Sequence, residues 1–522
     1  MSQNLPHPGR TVFQGRIAKL IKGCSVTVLF FLSIQALFAA PGDLDLTFNR
    51  TGIVTTTITN TGDEANAVAV QTDGKIIAAG YGSTATEFVL ARYTTSGALD
   101  TTFDADGIVR YIYPNSIGMA INAIALQSDG KIVVGGYIIP PAGQNNPRFS
   151  LARFLTNGSL DTTFGVGGVV ITPDVAFGLF KSSINAITIQ TDGKIVATGS
   201  AQSQIGVARY NTNGSLDTSF NSIGFVQTIL SAGSDGKALK IQSDGKIVVS
   251  GRSGPQFSTT LVRYTPNGSL DNSFDNDGIV TTASAPASAM VVQPDGKILV
   301  VTETAADYDV IRYNTNGSLD TSFGTNGIAT TNVGGSSDTA KGVALDAGGA
   351  ILVTGFTGGS KKGVDVFLSR HSGNGTLDPA FDGGGDGIVI TDLGTSLDAS
   401  NAIALSNSKI VIAGKLRNSA TGDDFAVLRY IGSTPTAANV TLGGRITLPG
   451  GSGVSGVTVI LTGGSLTQPL VTFTNASGYY NFYDLPLGAY VVAPESTSYT
   501  FSPTNYFINL MDEFLEANFI AN

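Results

Sequence analysis

From about residue 44 to residue 430 the chain alternates apolar and polar positions in short runs, cut by Gly, Asn and Asp, and no run keeps its apolar residues on one helical face. The stretch AINAIALQSDGKIVVGG, residues 120–136, has a period of two on both sides of Asp-Gly-Lys. This predicts two antiparallel strands around a tight hairpin, with Asp-Gly supplying the positive backbone angles of the turn. The segments FVLARY and FAVLRY alternate in the same way, and so do the Gly-Ile-Val segments at Gly52–Thr56 and Gly278–Thr282. The pattern predicts an all-β chain with about four short strands per recurring unit.

Three landmarks recur in fixed order. The first is Leu-Asp followed three residues later by Phe, at Asp45, Asp100, Asp161, Asp217, Asp271, Asp320 and Asp378, spaced about 55 residues apart. The second is Asp-Gly-Lys at Asp73, Asp129, Asp192, Asp244 and Asp295, with decayed forms at Asp346–Ala350 and Asn407–Lys409. The third is an arginine, usually followed by Tyr, at Arg92, Arg153, Arg209, Arg263, Arg312, Arg370 and Arg429. A four-stranded sheet of this size cannot bury both faces alone, so neighbouring units must cover it; radial stacking gives a seven-bladed β-propeller. A linear β-solenoid is the alternative, but it normally uses shorter coils and end caps, and no cap sequence precedes Leu44. The array starts just before Leu-Asp and stops just after Arg429-Tyr430, so the two ends can supply the missing junction. The strand around Phe425–Tyr430 is then expected to meet the segment around Gly52–Ile58 and remove two exposed edges.

These landmarks, with strings such as LDTTF and LARY, resemble the delta-60 repeat family of exported bacterial proteins over about 390 residues. The resemblance implies a propeller-like repeat domain and no chemistry at individual residues. The repeat is assigned to residues 40–431 and a linker to 432–437. Residues 438–522 follow a different alternation, with Gly456-Val457-Thr458-Val459, Gly478-Tyr479-Tyr480-Asn481-Phe482 and Leu485-Pro486-Leu487-Gly488-Ala489-Tyr490. This part resembles the carboxypeptidase regulatory-like and collagen-adhesin B families, which implies a small prealbumin-like β-sandwich serving as a spacer or adhesive module; some relatives bind carbohydrate. No lysine follows Lys415, so the Lys–Asn isopeptide crosslink of some relatives cannot form here.

Composition sets the compartment. Residues 1–23 carry Arg10, Arg16, Lys19 and Lys22 and no acid, and the apolar run Cys24–Ala40 follows. That order predicts a signal peptide, residues 1–39, cleaved after Ala39, with an uncleaved anchor as the rival. Cleavage removes four basic residues and the single cysteine, so the exported chain has no disulfide, no thiolate ligand and no integral membrane segment. The formal net charge of -9 before cleavage disfavours nucleic acid and acidic lipid as partners.

Chemistry is sparse. The exported chain has one histidine, His371, in the Tyr slot of the sixth unit, which is read as a core substitution. With no second histidine and no cysteine, the residues argue against Ser-His-Asp, zinc and HExxH sites, and the SxxK strings at Ser128 and Ser243 are hairpin turns. The Asn-Gly-Ser strings at Asn157, Asn213, Asn267 and Asn316 match glycosylation sequons and are better explained as turns. The recurring Asp and Arg are equal in number and are expected to pair structurally, because a partly buried guanidinium needs an acceptor that fits its fork. Clustered acids give the one metal reading: Asp100, Asp104 and Asp106, and Asp271, Asp275 and Asp277, offer oxygen ligands for calcium, although sister units lack the later carboxylates and a solvated turn competes. No other cofactor is implied.

The expected protein is a secreted or cell-surface bacterial monomer that acts by binding rather than catalysis, its partner an extracellular polysaccharide or a surface protein. Its ligand loops would be the segments whose lengths vary between units, 137–148, 171–183 and 355–366. The alternatives are a propeller glycan hydrolase or lyase using paired carboxylates, and a purely structural envelope component.

Overall fold

The computed structural model describes residues 40–522 except 141–145, 174–180, 231–232, 304–305, 361–362, 384, 407, 433–439, 465, 467, 486–487 and 511–516. The expected signal peptide and residues 433–437 of the expected linker lie outside the described residues. Among the described residues all regular helix or strand structure is β, arranged as nine four-stranded sheets.

Sheet 1 illustrates the repeat. Its strands Glu64–Val70, Ile76–Gly82, Glu87–Tyr93 and Ile108–Tyr111 pair antiparallel in chain order. At the first hairpin the Gln71 N–H donates to the Lys75 carbonyl at 2.8 Å, and the Gly74 N–H to that of Gln71 at 2.9 Å. Only Gly74 takes a positive φ, of 80°, while the Asp73 carboxylate accepts the Lys75 N–H at 3.2 Å. The turn is therefore a three-residue loop closed by a left-handed glycine, and Asp acts as a side-chain acceptor instead of supplying a positive angle as the sequence suggested.

Sheets 2 to 6 repeat this order over residues 118–171, 182–228, 235–282, 287–331 and 337–391. Sheet 7 takes three strands from Asp398–Ser406, Lys409–Asn418 and Gly422–Ile431, and its fourth, Ile53–Thr56, from the start of the array. Ile53 pairs with Leu428 and Thr56 with Phe425, antiparallel.

The apolar alternation buries both faces of these seven sheets. Seven core clusters are each shared by two consecutive sheets: Ile77 and Leu90 of sheet 1 pack with Ile121 and Val134 of sheet 2, and so on along the array. The last cluster joins Val411, Phe425 and Val427 of sheet 7 to Ala65, Ile76 and Val89 of sheet 1. Polar links follow the same path. The first strand of every one of these sheets has a bulge, and in four sheets the extra residue is Asn. Asn66 donates to the Ile121 carbonyl at 2.8 Å, Asn122 to Ile184 at 2.8 Å, Asn185 to Gly236 at 2.8 Å and Asn401 to Ala65 at 3.0 Å. Carbonyls freed by one bulge are thus satisfied by the bulge residue of the preceding sheet.

The two remaining sheets lie in the C-terminal segment. One orders Tyr479–Leu485, Val440–Thr447, Phe519–Ala521 and Phe501–Ser502; the other orders Leu470–Phe473, Thr458–Gly463, Gly488–Glu495 and Tyr506–Leu510. Both contribute to a single core that contains Leu442, Ile446, Val459, Tyr480, Tyr490 and Val492.

Candidate functional site

The three landmarks meet at one end of each sheet. In sheet 3 the Arg209 Nε donates to the Asp217 Oδ2 at 2.7 Å, and Lys194 of the Asp-Gly-Lys turn reaches the same oxygen at 2.9 Å. Arg209 lies over the Phe220 ring, 4.8 Å from its centroid, and its Nη1 crosses to the Pro266 carbonyl of sheet 4 at 2.7 Å. Ser219 donates to the other carboxylate oxygen at 2.7 Å. Burial pushes the Asp217 carboxyl up, but the bonds from Lys194, Ser219 and Arg209 outweigh it and hold the group well below the usual carboxylate range. The arrangement recurs through the array, and Arg429 closes it by pairing with Asp45 at 2.8 Å and reaching the Thr95 carbonyl of sheet 1 at 2.6 Å. In sheet 6, where Ala350 stands in the lysine slot, Asp346 turns onto Arg370 at 3.2 Å and the Arg370–Asp378 pair opens to 3.4 Å. The end that carries the most regular sequence is therefore structural.

A second recurring bond escaped the sequence reading. The Tyr after each Arg reaches the Thr that ends the fourth strand of the preceding sheet: Tyr93 to Thr56 at 2.8 Å, Tyr210 to Thr172 at 2.6 Å, Tyr313 to Thr282 at 2.7 Å and Tyr430 to Thr391 at 2.7 Å. Where Phe154 replaces the Tyr, Tyr111 replaces the Thr, and the two rings meet edge to face at 6.5 Å. His371, wholly buried, accepts the Tyr308 hydroxyl at Nε2 over 2.8 Å and donates from Nδ1 to the Gly375 carbonyl at 3.1 Å. Burial lowers its pKa and keeps it neutral, as a core residue. The signal was present in the paired presence of Thr and Tyr across units, but alternation alone does not say which faces touch. Tyr210→Phe strands the buried Thr172 hydroxyl and is expected to cost about 1–2 kcal/mol in thermal denaturation, with Tyr210→Phe/Thr172→Val recovering part of the loss.

The structure does not bring either expected calcium trio together. Asp100 is held by Arg92 at 2.8 Å and Lys75 at 3.1 Å, and Asp271 by Arg263 at 2.7 Å and Lys246 at 3.2 Å. Burial pushes both carboxyls up, but hydrogen bonds from Thr102 and Ser273, then these cations, outweigh it and lower them to about 2. Asp104, Asp106, Asp275 and Asp277 sit on exposed turns, where the Asp106 and Asp277 carboxylates accept the N–H groups of Ile108 and Ile279, both at 2.8 Å. Among the described residues, the one group of three carboxylates with converging oxygens is Asp365, Asp392 and Asp398.

Antiparallel pairing puts the second-to-third hairpins and the fourth-to-first connections at the end opposite the landmarks. The length-variable segments 137–148, 171–183 and 355–366 all belong to these connections, although 141–145, 174–180 and 361–362 lie outside the described residues. At this end, between sheets 7 and 1, is a cleft of about 590 Å³ lined by Thr61, Asp63, Tyr81, Arg417, Asn418 and Asp423, with other residues. Arg417 Nε donates to Asp423 at 2.5 Å, and Lys415 bridges Asp423 at 3.3 Å and Glu64 at 2.9 Å. Glu64 also accepts the Tyr81 hydroxyl at 2.8 Å and the Asn401 amide at 2.9 Å. Burial, then the Glu64 carboxylate, raises the Tyr81 phenol. Burial would raise Asp423 too, but Arg417 and Lys415 pull it down. These shifts favour the neutral phenol of Tyr81 and the ionised carboxylate of Asp423, so the network holds fixed donors and acceptors suited to recognition.

A second cavity, of about 520 Å³, lies at the landmark end against the first strands of sheets 4 to 7; Val291, Val343, Leu345 and Ile403 line it with Lys240. Burial lowers the Lys240 ammonium.

A family profile described as a β-propeller domain of unknown function, DUF5122, matches residues 71–103, 127–164, 190–220, 242–274 and 293–323. Each match runs from the Gln before an Asp-Gly-Lys hairpin to the Phe of the next Leu-Asp segment, the span of one landmark cluster. Among solved structures, the chain is similar to virginiamycin B lyase from Staphylococcus aureus, with 14% identity, 73% of this chain and 99% of that chain covered, and a TM-score of 0.45. It is similar to the RRP9 WD40 repeats at 10% identity, covering 75% and 99%, with a TM-score of 0.44. It is also similar to the polysaccharide lyase Uly1 at 11% identity, covering 70% and 90%, with a TM-score of 0.42. No curated protein matches the chain.

Proposed function

From an all-β chain of repeated four-stranded sheets with a β-propeller family match, we propose a secreted or cell-surface binding protein, monomeric, built as a seven-bladed delta-60 β-propeller (40–431), a linker (432–437) and a carboxypeptidase regulatory-like, prealbumin-like sandwich (438–522), behind a signal peptide (1–39). The shared cores, ending with sheet 7 against sheet 1, support the closed propeller. The ligand we assign is an extracellular polysaccharide, bound in the cleft between sheets 7 and 1. One observation carries this reading: on the end with the variable connections, a phenol, a guanidinium, a side-chain amide and carboxylates line a single open cleft. Planar polar groups beside an aromatic ring suit sugar hydroxyls and the apolar face of a pyranose. Binding is favoured over glycan cleavage because the carboxylates of the cleft network are already engaged, Asp423 by Arg417 and Lys415 and Glu64 by Lys415, Asn401 and the Tyr81 hydroxyl.

The test is a polysaccharide panel probed with the full chain, with retention and fragment release read separately. A saturable interaction without cleavage, weakened at least about tenfold by Arg417→Ala at an unchanged melting temperature, is expected. Arg417 is half-exposed, so its loss should spare the fold. Release of shortened fragments would favour the lyase or hydrolase alternative, and no saturable ligand the envelope-component alternative.

A further inference from the structure

The junction of sheets 6 and 7 gathers three carboxylates at the end opposite the landmarks. Asp365 lies near the start of the third strand of sheet 6, Gly363–His371, Asp392 follows its fourth strand, and Asp398 begins the first strand of sheet 7. One oxygen from each lies within 4.8 Å of the others. Asp365 is only 5% exposed, and its Oδ1 has no hydrogen-bond partner. A buried carboxylate oxygen left in this way is costly, and the same carboxylate turns an oxygen toward the other two acids.

Sister sheets show what the slot normally receives. The pairing of Tyr308 with Thr331 in sheet 5 corresponds to that of Val366 with Thr391 in sheet 6, so Asp307 and Asn332 occupy the places of Asp365 and Asp392. There the Asn332 amide donates to Asp307 at 2.6 Å. In sheet 7 the corresponding acid, Asp424, takes the Asn418 amide at 2.9 Å and the Thr421 hydroxyl at 3.1 Å. Sheet 6 replaces the amide donor by the Asp392 carboxylate, which has no proton to give Asp365. Asp398 is itself fully buried and accepts the Leu393 N–H at 2.9 Å and the Thr395 hydroxyl, which holds its carboxyl in place at the third corner.

We propose that Asp365, Asp392 and Asp398 form a calcium site that ties sheet 6 to sheet 7. An all-oxygen donor set without imidazole or thiolate selects a hard cation, and calcium accepts an irregular set completed by water. The site is separate from the cleft between sheets 7 and 1 and does not depend on the polysaccharide reading.

The experiment uses the full chain stripped with chelator, followed by calcium titration in a calorimeter and by thermal denaturation. A rise in melting temperature of about 3 °C is expected at a hundredfold excess over Kd. Asp365→Asn should abolish the rise while leaving the calcium-free protein at least as stable as wild type, because it removes one of three converging charges. If Asp365→Asn fails to fold, Asp392→Asn, at an exposed position, serves the same purpose. No heat and no shift with millimolar calcium would overturn the proposal, a result that fits a shared proton in place of a cation. A full shift retained in a folded variant would also overturn it, by placing the bound calcium elsewhere.

Discussion

Deleting residues 40–58 is expected to lower the apparent melting temperature by about 10 °C or more and to turn a monodisperse protein into an associating one. The segment supplies the fourth strand of sheet 7, so its loss leaves Gly422–Ile431 as an open edge. It also removes Phe48 and Val54 from the core shared by sheets 7 and 1. Asp45 goes with it, leaving Arg429 without its partner at 2.8 Å. Lost aromatic packing and one stranded buried charge together amount to a cost on the order of 10 kcal/mol. Size-exclusion chromatography and thermal denaturation check this, and a synthetic peptide of residues 41–60 added to the truncated chain should restore part of the loss. A truncated chain that stays monodisperse and melts within about 2 °C of wild type would show that sheet 7 does not need this strand.

Asp217→Ala is expected to cost about 3–5 kcal/mol, or about 4–6 °C, because it leaves the Arg209 guanidinium buried and unpaired. The side chains of Arg209 and Asp217 are only 8% and 7% exposed, and Lys194 loses the same oxygen. The equivalent Asp378→Ala should cost about 1 kcal/mol or less, since that pair is longer, at 3.4 Å, and its side chains are 18% and 26% exposed. The two variants thus separate a buried cluster from a decayed one in the same protein. The pH dependence has a definite sign. Asp217 is depressed in the folded state, so its contribution is complete above the ordinary carboxylate range and is lost as pH falls through the folded value. Asp100 and Asp271, lowered to about 2, act in the same direction. Wild-type stability should therefore fall steeply below about pH 4, and the deficit of Asp217→Ala relative to wild type should shrink there. A deficit that stays constant down to pH 2 would contradict the ion-pair account.

Several parts of this architecture were readable from residue order because they are local. A period of two fixes strands, a glycine that must turn left fixes a hairpin end, and an Arg eight residues before an Asp can reach it across one turn. The pairing of Arg92 with Asp100 and of Arg209 with Asp217 needs nothing beyond that separation. Calcium at Asp100 and Asp271 was also read from local order. The string carries three acids within seven residues, but the first is taken by the nearby Arg and also by Lys75 or Lys246 of the first hairpin, which a linear reading does not place beside it. The Asp365, Asp392 and Asp398 group was not readable for the converse reason, since its members belong to three strand ends in two sheets and no motif joins them.

The sequence by itself determined the strand content, the number and phase of the landmarks, the hairpin positions and which connections vary in length. These follow from backbone geometry and from alternation, which act over a few residues. Only the tertiary structure decided which faces share a core, that Tyr210 finds Thr172 and His371 finds Tyr308, and that acids of sheets 6 and 7 converge. Those contacts depend on the angle and spacing at which one sheet lies on the next, set by the packing of all the buried side chains together.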